Sequence, residues 1–273
     1  MNRYLLIFLF FGLLLASHEN IGVSPEARAL GESIVGKGYG ISGLYSNPAG
    51  LLDGEKIQFY ASYEKPYGSS GLGEINLISV GIKYSNFAIS LNEYYTEIEG
   101  DYSGAYSEGL YTISYATIFG PMSFGTNLNL YKFQEPRFGT DFTAGLDLGV
   151  ISRISDFVGA GVFYRNITRT RIRGEYLPYY LDAGVHISVQ GLSKSFITFR
   201  MSPNSLVALM LGEEVDLAKG LLTLRGGLNY GEDLKKASFG IGVNPLNNLK
   251  INYSFSTNFE LSPSHSLGIV FRR

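Results

Sequence analysis

The chain has 273 residues, a formal net charge of -2, only 17% charged residues, 34 glycines, 20 tyrosines and 18 phenylalanines. A soluble domain normally carries more surface charge, and a net charge this small gives no electrostatic basis for nucleic-acid binding, so that class of partner is excluded. The absence of cysteine excludes a lipoprotein anchor, a disulfide framework and a thiolate metal centre, and no cofactor or metal ligand set is expected.

The N-terminus reads as an export signal. Arg3 precedes the apolar run Tyr4 to Ala16, which is shorter than the roughly 20 residues a membrane-spanning helix requires. Residues 1–17 are therefore expected to be a cleaved signal peptide, with the small residues Ala16 and Ser17 at the peptidase site. Residues 18–54 form a distinct segment. Ser24-Pro25-Glu26-Ala27-Arg28-Ala29-Leu30-Gly31 combines an N-cap serine, proline at the first helical position and good helix formers, which predicts a short helix of about one to two turns. Gly38-Tyr39-Gly40-Ile41-Ser42-Gly43 has the spelling of a dinucleotide-binding loop. It lacks the preceding strand and following helix that such a loop needs, so a plain glycine turn is expected.

From residue 55 to 273 apolar residues recur at every second position, interrupted at Gly, Pro, Asn, Asp and Ser. Leu249, Ile251, Tyr253 and Phe255 alternate with Lys250, Asn252, Ser254 and Ser256, and the same alternation runs through 142–150 and 180–189. About fourteen strands are predicted, at 55–63, 74–84, 86–97, 107–118, 121–133, 140–152, 156–165, 178–190, 194–201, 205–215, 220–230, 236–244, 248–257 and 263–273. Connections alternate between long and short, with a weakening near 202–204 that leaves a count of about twelve open. The polar faces are rich in Gly, Ser, Thr and Asn rather than Lys and Glu, which suits a crowded lumen better than a water-facing surface. Apolar faces often end in tyrosine, at Tyr63, Tyr84, Tyr164 and Tyr230, as at a bilayer interface. A sheet edge in hydrocarbon would leave backbone groups unpaired, so the sheet must close. The expectation is an all-β, closed antiparallel transmembrane barrel with a short N-terminal plug containing a small helix.

Ala27-Arg28-Ala29-Leu30-Gly31, the glycine-rich stretch and Asn47-Pro48-Ala49-Gly50 just before the barrel resemble the N-terminal region of FadL-type outer-membrane proteins and their PorV/PorQ relatives. At the other end Leu211-Gly212-Glu213-Glu214, Leu224-Arg225-Gly226-Gly227 and His265 to Phe271 resemble their last strands, although Arg272 and Arg273 follow the aromatic residue that closes the family pattern. The resemblance implies a fourteen-strand barrel in the bacterial outer membrane, with Asn47, Pro48, Ala49 and Gly50 folded into the lumen as part of a plug. It also implies one of two functions: passive transport of small hydrophobic or amphipathic molecules, or a non-enzymatic role in protein secretion or assembly. The corresponding partners are a small hydrophobic ligand or a secretion-system protein, beside outer-membrane lipid.

The charged residues of the strands are placed inside by this register. Asp147, Asp182, His186, Arg200, Arg225 and Lys250 are expected to form a lumen polar track or to pair across the interior, together with Glu214. His186 and Ser188 share a strand face, a faint echo of a base and nucleophile, but the register turns them inward and no catalytic residue is assigned. Arg165, Arg169, Arg171 and Arg173 fall in or beside one outside loop, where phosphorylated lipid headgroups are a natural contact.

Overall fold

The computed structural model describes residue 18 and residues 21–68, 75–98, 103–189, 192–202, 205–231, 235–258 and 262–273; the expected signal peptide lies outside the described residues. Sixteen strands occur among them: β1 Ile57–Lys65, β2 Asn76–Tyr84, β3 Phe87–Ile98, β4 Gly104–Phe119, β5 Met122–Glu135, β6 Gly139–Arg153, β7 Val158–Arg165, β8 Arg171–Ile172, β9 Glu175–Tyr176, β10 Tyr180–Val189, β11 Ser193–Ser202, β12 Ser205–Leu217, β13 Leu222–Tyr230, β14 Lys235–Leu246, β15 Leu249–Asn258 and β16 Ser264–Arg272. Fourteen of them close into an antiparallel barrel, and β8 with β9 forms a separate hairpin inside the connection from β7 to β10. All fourteen predicted strands are present, so the twelve-strand alternative is set aside. The small hairpin stands where the sequence predicts only a loop.

Closure is made by β1 and β16, in register from Gln58 opposite Arg272 to Lys65 opposite His265. Ile57 and Arg273 exchange both backbone hydrogen bonds at 2.9 Å. Strand β7 is short and pairs with β6 only from Leu148 to Arg153. The upper edge of β6 is covered instead by the following connection, where Ile167 N donates to Leu146 O at 2.8 Å and Thr170 Oγ1 donates to Ala144 O at 2.7 Å. This connection therefore belongs to the wall as much as to the surface, because it supplies the partners that a bare edge would lack.

The two faces differ as the alternation predicts. On β5, Leu128 points outward at 55% exposure while its neighbour Asn127 is fully buried. Val185, Ile187 and Val189 point outward on β10, as does Phe142 on β6, whereas Asp147, Asp182, Asn252 and Ser254 are buried inside. Tyr63, Tyr84 and Tyr230 are exposed at the ends of their strands. An outward surface this apolar is suited to hydrocarbon, and its tyrosines are suited to the two interfaces.

Leu128→Arg distinguishes this barrel from an inside-out soluble one. Near the middle of a lipid-facing strand an arginine costs about 2–4 kcal/mol, so the variant should lose much of the fast-migrating folded form on unboiled gels; unchanged folding would show that Leu128 faces water.

Candidate functional site: a plugged lumen

Residues 21–54 occupy the interior of the barrel. Helix α1, Pro25–Ala29, begins as the sequence predicts, with Ala27 N donating to Ser24 Oγ at 3.2 Å and proline at its start. It rests against β14 and β15. Short 3-10 turns follow at Ile34–Gly36, Gly40–Gly43 and Pro48–Leu52. The dinucleotide-like motif is such a turn, with Gly40 at φ +61 against the side chain of Gln58.

Asn47 is the hinge of this segment. Its Oδ1 caps the last 3-10 turn by accepting from Ala49 N at 3.1 Å. Its amide nitrogen lies within hydrogen-bond distance of three carbonyls, Val35 O in the plug at 2.9 Å, Val150 O in β6 at 3.1 Å and Val162 O in β7 at 3.2 Å. One buried side chain thus ties two plug turns to two strands of the wall. Aspartate could not replace it, because a carboxylate cannot donate to carbonyls.

The wall meets the plug through glycine. A Cβ added at Gly149 would run into Asn47 Oδ1, and one at Gly125 into the Pro48–Ala49 peptide. Around the circumference Gly161 abuts Val35, Gly212 abuts Leu30 and Ser33, Gly227 abuts Gly31, and Gly240 abuts Ala29. These inward positions have no room for a side chain because plug backbone and short plug side chains occupy the space. Gly50, the last residue of the Asn-Pro-Ala-Gly element, faces Gly38 so closely that a Cβ would lie 2.6 Å from its Cα.

The charged residues predicted for the lumen are all inside, but they form separate groups rather than one track. Arg200 makes a two-pronged contact with Asp182, at 2.8 and 2.9 Å, and its guanidinium carbon lies 3.8 Å from the centre of the Tyr180 ring. It also stands 3.7 Å from Glu32 of the plug. Arg225 donates to Glu214 at 2.7 Å and to Asn252 at 3.1 Å, and Lys194 reaches the other oxygen of Glu214 at 2.6 Å. Lys250 lies 3.8 Å from Glu26 of the plug. Asp147 is held differently, by Asn127 at 3.2 Å, Asn129 at 2.8 Å and the backbone N–H of Asn166 at 2.7 Å. His186 Nδ1 is 2.8 Å from Gly36 O, which gives the ring a structural partner in the plug.

Sequence reading missed the plug's half of these contacts. Glu26, Arg28 and Glu32 look like ordinary helix-surface charges, yet each faces a wall partner, and the Arg28–Glu64 pair is 2.6 Å long and almost fully buried. Tyr45 was also unmarked, and its hydroxyl is a hub for Ser90 at 2.5 Å, Asn92 at 2.6 Å and Thr112 at 2.9 Å. A hint was available in the polar residues at alternate positions of β3 and β4, which require a polar counterpart within the lumen.

The arginine group of the outside loop requires correction. Arg165 is only 2% exposed and donates inward, to Tyr180 Oη at 2.8 Å and to Ile21 O at 3.3 Å, because the barrel register puts it on the lumen face. Arg173 bonds to Glu135, to Asp141 and to Gly139 O. Arg169 and Arg171 stand over the rings of Tyr179 and Tyr176.

A continuous apolar cluster links plug to wall. Ile21, Leu44, Tyr45 and Leu51 pack with the inward residues Leu110, Tyr131 and Phe133, and with Ile172 and Leu177 folded in from the β7–β10 connection.

No protein-family model and no curated protein matches the chain. The fold does match solved structures. CymD, a monoaromatic hydrocarbon channel, superposes with a TM-score of 0.68 at 12% identity, covering 95% of this chain and 98% of that one. The toluene transporter TodX of P. putida superposes with a TM-score of 0.63 at 12% identity, covering 94% and 97%. The chain, a closed fourteen-strand barrel, therefore shares the fold of this channel and this transporter.

Replacing Asn47 by alanine strands buried carbonyls and removes a cap, so a loss of about 1–3 kcal/mol is expected in urea unfolding of the detergent-held barrel. Gly149→Val should leave the wall intact but expel the Asn47 turn. Its signature is a rise in single-channel conductance in planar bilayers with strand content unchanged by circular dichroism.

Proposed function

We propose that this protein is a bacterial outer-membrane channel for passive transport of small hydrophobic or amphipathic molecules, with the plug as its closure element. The observation that carries this reading is a fourteen-strand barrel whose lumen is filled by its own N-terminal segment and contains an apolar cluster that extends to the long-connection end. The shared fold with a monoaromatic hydrocarbon channel and a toluene transporter supports cargo of that kind and size. In this orientation the short turns and both barrel termini lie in the periplasm, and the long connections lie outside. Outer-membrane lipid surrounds the apolar wall, and the exposed arginine-tyrosine stacks at Arg169 and Arg171 sit at headgroup level. The secretion reading, and with it the PorV/PorQ branch, draws no support from these neighbours.

A sealed vesicle with a lipopolysaccharide outer leaflet supplies the test, because its saccharide layer hinders apolar solutes as a plain bilayer does not. Incorporating the protein should accelerate uptake of labelled toluene and leave uptake of glucose unchanged. Ile41 and Gly81 can be replaced together by cysteine, since a Cβ at Gly81 would lie 2.9 Å from Ile41 Cδ1 and the native chain has no thiols. Oxidation of that pair should fasten the plug to the wall and abolish the acceleration, with recovery on reduction. Equal toluene uptake with and without protein would overturn the transport reading.

A further inference from the structure

His18 lies in the lumen beside the first residues of β4 and the last residues of β5, and is 1% exposed. Its backbone nitrogen donates to Glu108 Oε2 at 2.7 Å. Its ring Nε2 stands 3.0 Å from Lys132 O, and the ring meets that of Tyr131 edge-on with centroids 5.4 Å apart. Contacts with two strands therefore fix the position of this one backbone nitrogen.

Glu108 is a lumen-facing carboxylate, 7% exposed, next to the apolar residues Tyr131 and Phe133. Other buried carboxylates of the wall face a cation: Asp182 has Arg200, Glu214 has Arg225 and Lys194, and Glu64 has Arg28. Glu108 pairs with no lysine or arginine among the described residues. Tyr106 Oη donates to one of its oxygens and the His18 nitrogen to the other, while His18 Nδ1 stands off at 3.6 Å. A buried carboxylate is costly until a cation meets it.

The sequence supplies that cation at the same atom. His18 directly follows the small residues Ala16 and Ser17 at the end of the expected signal peptide. Hydrolysis of the Ser17–His18 peptide bond consumes one water, whose oxygen completes the Ser17 carboxylate and whose two hydrogens convert the His18 N–H into an ammonium. The nitrogen that already donates to Glu108 then carries the missing charge, and a charge-assisted hydrogen bond is roughly twice as strong as a neutral one.

We propose that the export peptidase cuts between Ser17 and His18, and that the α-ammonium formed there pairs with Glu108 and anchors the N-terminal end of the plug to the long-connection end of the barrel. A cut one residue earlier leaves an amide at His18 and moves the ammonium along by one residue, about 3.8 Å between Cα atoms. A cut one residue later removes His18 and its contacts with β4 and β5. The position of Glu108 thus selects one site among those that the small residues allow. The inference concerns processing and the seating of the plug, and does not rest on hydrocarbon transport.

The test uses protein expressed with its own leader and extracted from the outer membrane. Mass spectrometry of a tryptic digest should find an N-terminal peptide running from His18 to Arg28, the first Lys or Arg after residue 18. The folded barrel in detergent is then treated with 2-pyridinecarboxaldehyde, which prefers α-amines to lysine, and labelling of that peptide is followed with time. The folded protein should label at least about 10-fold more slowly than the boiled protein, and Glu108→Gln, with heat-modifiability retained, about 10-fold faster than the folded parent, the factor one charge-assisted hydrogen bond supplies. Should Glu108→Gln fail to fold, the first residue and the folded-against-boiled comparison of the parent decide the matter. A first residue other than His18, equal labelling of folded and boiled protein, or unchanged labelling in folded Glu108→Gln would each overturn the proposal.

Discussion

A barrel wall in hydrocarbon spends every backbone hydrogen bond on itself, and its alternating side chains leave the lumen as the one place where its polar residues can go. That constraint governs the molecule. Once Asn127, Asn129, Asp147, Asp182 and Arg225 are turned inward and buried, each needs a partner that bulk water no longer supplies. Some find one in a neighbouring strand, as Asp182 does in Arg200. Others find one in the plug, whose carbonyls and carboxylates meet His186, Thr198 and Asn252. The plug is thus the interior surface the wall is fitted to, and the inward glycines mark where the two approach most closely.

The charges at this interface act mainly on position. Removing two ions from water costs several kcal/mol each, and mutual attraction returns little beyond that, so a buried pair adds less stability than an apolar contact of the same size. Losing one partner is another matter, since an uncompensated buried charge remains. Arg28 against Glu64, Glu32 beside Arg200 and Glu26 near Lys250 therefore penalise a shifted plug far more than they reward the correct one. Their spacing fixes rotation and depth together, because the three partners stand on different strands of the wall. Asn47 fixes the same segment at a fourth place through uncharged bonds.

The wall was legible in the sequence because strand periodicity reports which face a residue occupies, and burial of one face enforces that register throughout. This is why all fourteen strands and the inward setting of Asp147, Asp182, Arg200, Arg225 and Lys250 could be read directly. Periodicity says nothing about who sits opposite. The wall partners of Glu26 and Glu32, and the three carbonyls gathered by Asn47, lie more than a hundred residues away in most cases, and no local pattern encodes them. Arg165 failed for a related reason. It stands at the last position of β7, where loop and strand readings give opposite directions for the side chain, and only the pairing of Tyr180 with Arg165 settles which holds. The hairpin β8–β9 is likewise too short to show alternation.

The lumen is chemically divided along its axis. Toward the long connections it offers Leu110, Tyr131, Phe133, Ile172 and Leu177, with the aromatic rings of Tyr131 and Phe133 turned inward. Beyond the plug, at the short-turn end, it offers a cavity ringed by ionic groups. An apolar molecule gains transfer free energy on reaching the first region, about 25 cal/mol for each Å² it buries, and gives that gain back on entering the second. Straight passage down the axis is therefore uphill for such a molecule while the plug stays as it is, since among the described residues that line this cavity Val270 is the one aliphatic side chain. Movement of the plug would change this balance, because Ile21, Leu44 and Leu51 lie on the plug itself and would carry apolar surface with them. The same displacement would separate Glu26 from Asn252 and Arg28 from Glu64, so the ionic contacts that set the plug's position also set the cost of opening it.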